Sequence, residues 1–287
     1  MRYFSCLFFF LFAACTPAPI SAAEDVTATA PVVQFTQTYT SQPPPTLPAV
    51  ETMPEPTADV ASATPEPVFA VCSPLQDIPF EAIAGMISNP YHPPKPGYDD
   101  PHAGIDIAVN LAGSEVAVAG HPVQAALPGR VAMISADRFP FGSALIIETP
   151  LDALPADWQT HVEFPTLAPT LEPRSALTCP PAPVLENIDY NRRSLYTLYA
   201  HLQDPPGWAL DDEISCGQVI GHVGGTGNAL NPHLHFETRS GPAGIRLAPM
   251  AHYDASATAE EMSAYCQWSV SGLFQLVDPQ KVLGILP

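Results

Sequence analysis

The sequence predicts a mostly β, antiparallel domain with a single core, set behind a disordered proline-rich stalk. Two observations carry that prediction. From about Val71 onward, strand-length apolar runs recur between Gly and Pro punctuation, and no long stretch has helical periodicity. Before that point, residues 16–70 are rich in Pro, Thr, Ala, Ser and Glu and show no apolar period.

The elements follow in chain order. Met1-Arg2 supplies a short positive region, and residues 3–14 form an apolar, Phe-rich run too short to span a bilayer comfortably. Residues 1–15 therefore read as an export signal. Leu11-Phe12-Ala13-Ala14-Cys15 is similar to a bacterial lipobox, which would leave Cys15 as a lipid-bearing N-terminus. Ordinary cleavage after Ser21-Ala22-Ala23 is the alternative. The 16–70 linker cannot bury enough apolar surface to offset chain ordering, and its prolines stiffen it into a spacer.

The domain is expected over 71–287. Its strands are expected at 105–109, 116–119, 129–134, 144–148, 194–199, 217–223 and 234–238, several of them β-branched. One short helix is expected at 258–266, where Ala259-Glu260-Glu261-Met262 are good helix formers. Two stretches, at about 150–193 and 241–271, are too long for hairpin loops and read as surface excursions from the sheet. The first is expected to narrow access to whatever site the sheet carries.

Composition excludes some functions. The 287-residue chain has a net charge of −19 and only ten basic residues. No Lys or Arg occurs between Arg2 and Lys95. Nucleic acid is not an expected partner, because phosphate neutralisation needs cations. A polybasic membrane contact is excluded on the same ground, which leaves a lipid on Cys15 as the route to a membrane. Once Cys6 and Cys15 are set aside, Cys72, Cys179, Cys216 and Cys266 remain, and four cysteines in an exported chain suggest two disulfides. Of three connectivities, Cys179–Cys216 with Cys72–Cys266 is the expected one.

The chemistry concentrates in two short motifs. Alternate residues of a strand point to one face, so His233 and His235 in His233-Leu234-His235 would project together. His102 and Asp106 in His102-Ala103-Gly104-Ile105-Asp106 also have even spacing. Imidazoles and a carboxylate converging on one point make a zinc site with an open position, as a hydrolase needs. His102, Asp106 and one member of the later pair can supply three ligands; spacing alone does not say which member. Gly104 would allow close backbone approach. His201, in Tyr199-Ala200-His201-Leu202, ends an apolar strand and is a further candidate for proton handling. His92 precedes the first motif and could line a cleft. His121, His161, His222 and His252 read as solvated or structural, and Glu237 shares strand parity with both late histidines.

The three motifs, in this order and with Gly217-Gln218-Val219-Ile220-Gly221 and Gly224-Gly225-Thr226-Gly227 between the last two, resemble the lysostaphin/LytM-type zinc endopeptidases. The resemblance covers roughly 84–236 and the terminal Leu276-Val277-Asp278-Pro279. It implies a compact antiparallel sheet with a narrow groove that holds zinc. It implies Zn2+ ligation by His102, Asp106 and His235, and unligated catalytic roles for His201 and His233. The implied reaction is attack of a zinc-activated water on a peptide bond of bacterial peptidoglycan, by a monomer outside the cytoplasm. Two other functions fit the same family: a non-catalytic domain that activates other cell-wall hydrolases, and an exported zinc peptidase acting on proteins. Glu237 could orient a ligand or simply close a strand.

Overall fold

The computed structural model describes residues 69–110, 112, 115–165, 177–181 and 188–285. The export signal, Cys15 and nearly all of the expected stalk lie outside the described residues. Ten strands are present among the described residues: β1 (Ile87–Asn89), β2 (Ile105–Ile107), β3 (Pro122–Gln124), β4 (Gly129–Arg138), β5 (Gly142–Pro150), β6 (Arg193–Leu202), β7 (Glu213–Ile214), β8 (Val219–His222), β9 (Leu234–Pro242) and β10 (Gln275–Val277). Four helices accompany them: α1 (Phe80–Met86), α2 (Ala156–Val162), α3 (Ala259–Ser269) and α4 (Pro279–Leu283).

Eight strands form one sheet in the order β1-β2-β9-β6-β5-β4-β7, with every pairing antiparallel. β10 pairs with β9 farther along the edge that β2 occupies. β3 and β8 make a separate two-stranded ribbon. The mostly β, antiparallel fold is as expected. The 116–119 run is not a strand; it makes one bridge, Asn110 to Ala117.

The expected single core is split by the sheet into layers. Leu145, Ile147, Tyr199, Leu234 and Phe236 pack on one face. Ala144, Ile146, Tyr196, Leu198 and Trp268 pack on the other. The alternation along β5 sends neighbouring side chains to opposite faces, and both faces are covered. The second covering comes from α3, whose Ser263 to Ser269 are all buried. The 241–271 stretch is therefore part of the core on this face, through Ile245, Leu247, Met250, Ala264, Tyr265 and Trp268, and not a surface excursion. α3 starts where its sequence dictates: Thr258 accepts from the Glu261 amide while Glu261 reaches back to the Thr258 amide.

The 150–193 stretch also differs from expectation. Val162 and Trp158 of α2, with Phe164 just after it, pack into a third cluster containing Leu127, Leu195, Val277 and Val282. The disulfides are Cys72–Cys216 and Cys179–Cys266, with Cα–Cα distances of 5.7 and 6.0 Å, and this corrects the expected pairing. Backbone geometry gives the reason. The Cys72 amide donates to the Ala126 carbonyl and the Gly217 amide to the Ala125 carbonyl, so one segment brings both cysteines together. Cys179 is instead tied to α3, through Cys266.

Candidate metal centre

β2 and β9 set the first two site residues by register. Asp106 pairs directly with His235, so their side chains leave the same face of the sheet. Asp106 Oδ1 lies 2.9 Å from His235 Nδ1. The Asn89 side chain donates to the other oxygen, Oδ2, at 3.1 Å, which leaves Oδ1 facing the histidines. His102 arrives from the preceding loop, which is held by reciprocal backbone bonds between His92 and His102. His102 Nε2 then sits 3.1 Å from Asp106 Oδ1 and 3.2 Å from His235 Nδ1.

Gly104 makes that approach possible. A Cβ there would stand 2.6 Å from the Phe236 carbonyl oxygen and 2.9 Å from His235 Cε1. Only glycine leaves room for β2 to carry its loop across β9 at this point.

The donor set fits a divalent cation. The ligand atoms of His102, Asp106 and His235 all lie within 4.8 Å of one another. His102 Nδ1 is bonded to the Pro90 carbonyl at 3.0 Å, and His235 Nε2 to the Glu237 carboxylate at 3.2 Å. Those partners only accept, so each ring donates outward and its other nitrogen turns a lone pair inward. Two nitrogen lone pairs and a carboxylate oxygen thus converge, and a cation satisfies all three. Two imidazoles and a carboxylate with one side open suit zinc in a hydrolytic site. Burial acts to raise the Asp106 carboxyl, but bonds from His102 and His235 outweigh it and hold the group well below the usual carboxylate range. Burial acts to lower the His235 imidazole, but the Asp106 and Glu237 carboxylates raise it to about 9, so a cation has to displace the Nδ1 proton that Asp106 otherwise accepts before that lone pair is available.

The two further histidines reach the same point by different means. In β6 the register slips by one residue between the Ser143–Leu202 and Leu145–Tyr199 pairs, which is a bulge. His201 sits there with φ at +60°, a conformation uncommon outside glycine. Regular alternation would send His201 to the Tyr199 face; the bulge turns it beside His233, with ring centroids 4.7 Å apart. His201 Nδ1 bonds the Thr226 carbonyl at 2.8 Å, and His233 Nδ1 bonds the Asn231 carbonyl at 2.8 Å. Both rings therefore donate from Nδ1 and leave Nε2 free to accept a proton. His233 Nε2 is 3.5 Å from Asp106 Oδ1. Burial first, then the neighbouring His235 and His233, push the His201 pKa down to about 3.

All five sequence-predicted site residues are thus brought together, in a groove of about 1220 Å³ lined also by Asn89, Phe141, Asn228, Leu230 and Tyr265. His92 does not line the groove; it acts through its backbone on His102. No described residue of 150–193 lines it either, so the described part of that stretch does not narrow it.

Sequence reasoning missed Asn89, Thr226 and Arg239. Thr226 anchors its loop by donating from Oγ1 to the Leu202 carbonyl and accepting from the Ser143 amide. Arg239 donates from Nε to Glu237 Oε1 at 2.5 Å. A signal for Arg239 was available, since His233, His235, Glu237 and Arg239 all fall on one strand parity.

Comparison with known proteins adds the following. Residues 187–248 match the profile of Peptidase family M23, a span that contains His201, His233 and His235 but neither His102 nor Asp106. The family resemblance read from the motifs is thereby borne out. No curated protein sequence matches the chain. Among solved structures, the catalytic domain of the antimicrobial peptidase lysostaphin from Staphylococcus simulans is 18% identical over 58% of this chain and 88% of its own, with a TM-score of 0.32. A mutant catalytic domain of the prophage-encoded M23 protein EnpA from Enterococcus faecalis is 19% identical over 55% of this chain and 82% of its own, with a TM-score of 0.31. A zinc-containing peptidase from Vibrio cholerae is 21% identical over 53% of this chain, with a TM-score of 0.30, and the match spans 32% of that protein.

Proposed function

We propose that this M23-family peptidase domain is a zinc-dependent endopeptidase that hydrolyses peptide bonds of bacterial peptidoglycan. The observation that carries the reading is the convergence of His102, Asp106 and His235 donor atoms within 4.8 Å, beside two histidines whose Nε2 atoms are free. Zinc held there would supply a Lewis acid that acidifies a water and polarises the scissile carbonyl. The protein's own groups do the rest. The groove receives the peptide across the site. His233 Nε2 is available to take the proton of the attacking water and return it to the leaving amine. His201, neutral and buried, packs against His233 and limits the positions that ring can take.

The substrate class and the zinc assignment rest on the family resemblance together with that donor set. Two disulfides fit a protein that works outside the cytoplasm. Tethering of a monomer through a lipid on Cys15 completes the reading, and fatty-acid labelling that survives Cys15→Ala would remove that part of it.

The main test is mass spectrometry of purified peptidoglycan digested by the zinc-loaded protein, beside its His233→Ala variant. Peptide fragments released by the first and not by the second are expected. Equal release by both would overturn the mechanism. Release by neither, with normal cleavage of an unrelated protein by the wild type, would move the activity to protein substrates.

A further inference from the structure

We infer that Glu237 and Arg239 form a positioning relay that fixes His235 as an Nδ1 ligand, an inference that rests on the zinc reading above. Parity puts His235, Glu237 and Arg239 in a row along one face of β9. Glu237 divides its carboxylate between the two neighbours. Oε2 accepts from His235 Nε2 at 3.2 Å, and Oε1 accepts from Arg239 Nε at 2.5 Å. Arg239 is anchored in turn: its Nη1 reaches the Ser269 and Phe274 carbonyls at 3.3 Å each, and its guanidinium lies 5.2 Å from the centre of the Trp268 ring.

The placement is costly unless it has a use. Glu237 and Arg239 are 1% and 3% exposed. An apolar pair of similar volume would fill the same space without the desolvation of two ions. What an apolar pair cannot do is accept the His235 Nε2 proton. That acceptance keeps the lone pair of His235 on Nδ1, the nitrogen that faces Asp106 and His102. The rotamer is held by the same bond, because a flipped ring would face the carboxylate with the wrong atom. His102 has the weaker counterpart, a backbone carbonyl from Pro90, so the two ligand histidines differ in how firmly they are aimed. Through Arg239 the aim of His235 is referred to the C-terminal end of α3 and the turn after it, which are parts of the buried layer.

The test is zinc affinity of the full chain, measured by competition with a chromophoric chelator, for the wild type and for a double variant Glu237→Leu with Arg239→Met, which leaves the His235 Nε2 proton without that acceptor. The double variant removes both buried charges together, so neither ion is left unpaired. A loss of about 10–100-fold in zinc affinity is expected, the range found when such outer partners of ligand histidines are removed. A changed absorption spectrum of the cobalt-substituted variant should accompany it. Wild-type affinity and an unchanged cobalt spectrum in the variant would overturn the relay. Should the double variant not fold, a long-range proton–nitrogen NMR spectrum of the zinc-loaded wild type decides alone. A proton on His235 Nε2 supports the relay, and a proton on Nδ1 removes it. A wild-type chain that binds no zinc overturns the zinc reading itself, and the relay falls with it.

Discussion

The ligand set and the free histidine pair lie side by side, yet they are built in opposite ways. Asp106 and His235 are held by strand register, on strands hydrogen-bonded along their length. His201 and His233 are held by exceptions to regular structure: a bulge with positive φ at His201, and for each ring a loop carbonyl on its Nδ1. Both carbonyls, those of Thr226 and Asn231, come from the single loop between β8 and β9. Asp106 and His235 are therefore placed by the sheet, whereas the rings of His201 and His233 are oriented by one loop.

That division can be broken by experiment. The largest effect is expected for Asp106→Ala, which removes the atom on which both ligand histidines converge; metal analysis after dialysis should find no stoichiometric zinc. Retained zinc would mean the register-built set is not the binding site. Next, His233→Ala should keep stoichiometric zinc while kcat falls by about 10²–10⁴-fold, the usual contribution of a positioned base. If zinc were lost as well, the two sets would not be separable.

Gly104→Ala probes the sheet side. Its methyl group would meet the Phe236 carbonyl oxygen at 2.6 Å, so thermal or denaturant unfolding should show destabilisation of about 1–3 kcal/mol, with weakened zinc binding. Thr226→Val probes the loop side. It loses two hydroxyl bonds, each contributing about 0.5–1.5 kcal/mol. Turnover should drop while zinc affinity stays, which chelator competition can check. The smallest effect belongs to Arg130→Ala. Its ion pair with Glu213 is 58% and 79% exposed, and such pairs contribute at most about 1 kcal/mol.

The same contrast explains what could be read from the sequence. Short apolar runs between Gly and Pro are local signals, so β5, β6 and β9 were legible as strands, and strand parity made His233 and His235 legible as neighbours on one face. The helix formers Ala259-Glu260-Glu261-Met262 made α3 legible too. The short first strand was not legible. β1 is three residues long, and its contribution, the Asn89 bond to Asp106, depends on a pairing with β2 that no periodicity announces. The turning of His201 depends on a one-residue slip that the apolar run of β6 hides. The 241–271 stretch looked like an excursion because its burial is set by the far face of the sheet, and α3 shows no strong apolar stripe when all of its last seven residues are enclosed. The disulfide pairing was beyond reach for a similar reason: Cys72 and Cys216 meet only because both flank Ala125 and Ala126.

β9 lies between β2 and β6, although it is among the last strands in the chain. A chain growing from its N-terminus offers His102 and Asp106 with no third donor, since His235 follows Asp106 by 129 residues. The late strand must enter a slot between two earlier ones, a non-local pairing of the kind that folds slowly. A product that stops short of β9 has neither a closed sheet nor a complete donor set. The donor set is thus completed only once the late strand has paired, because no stretch of chain short of β9 carries all three groups.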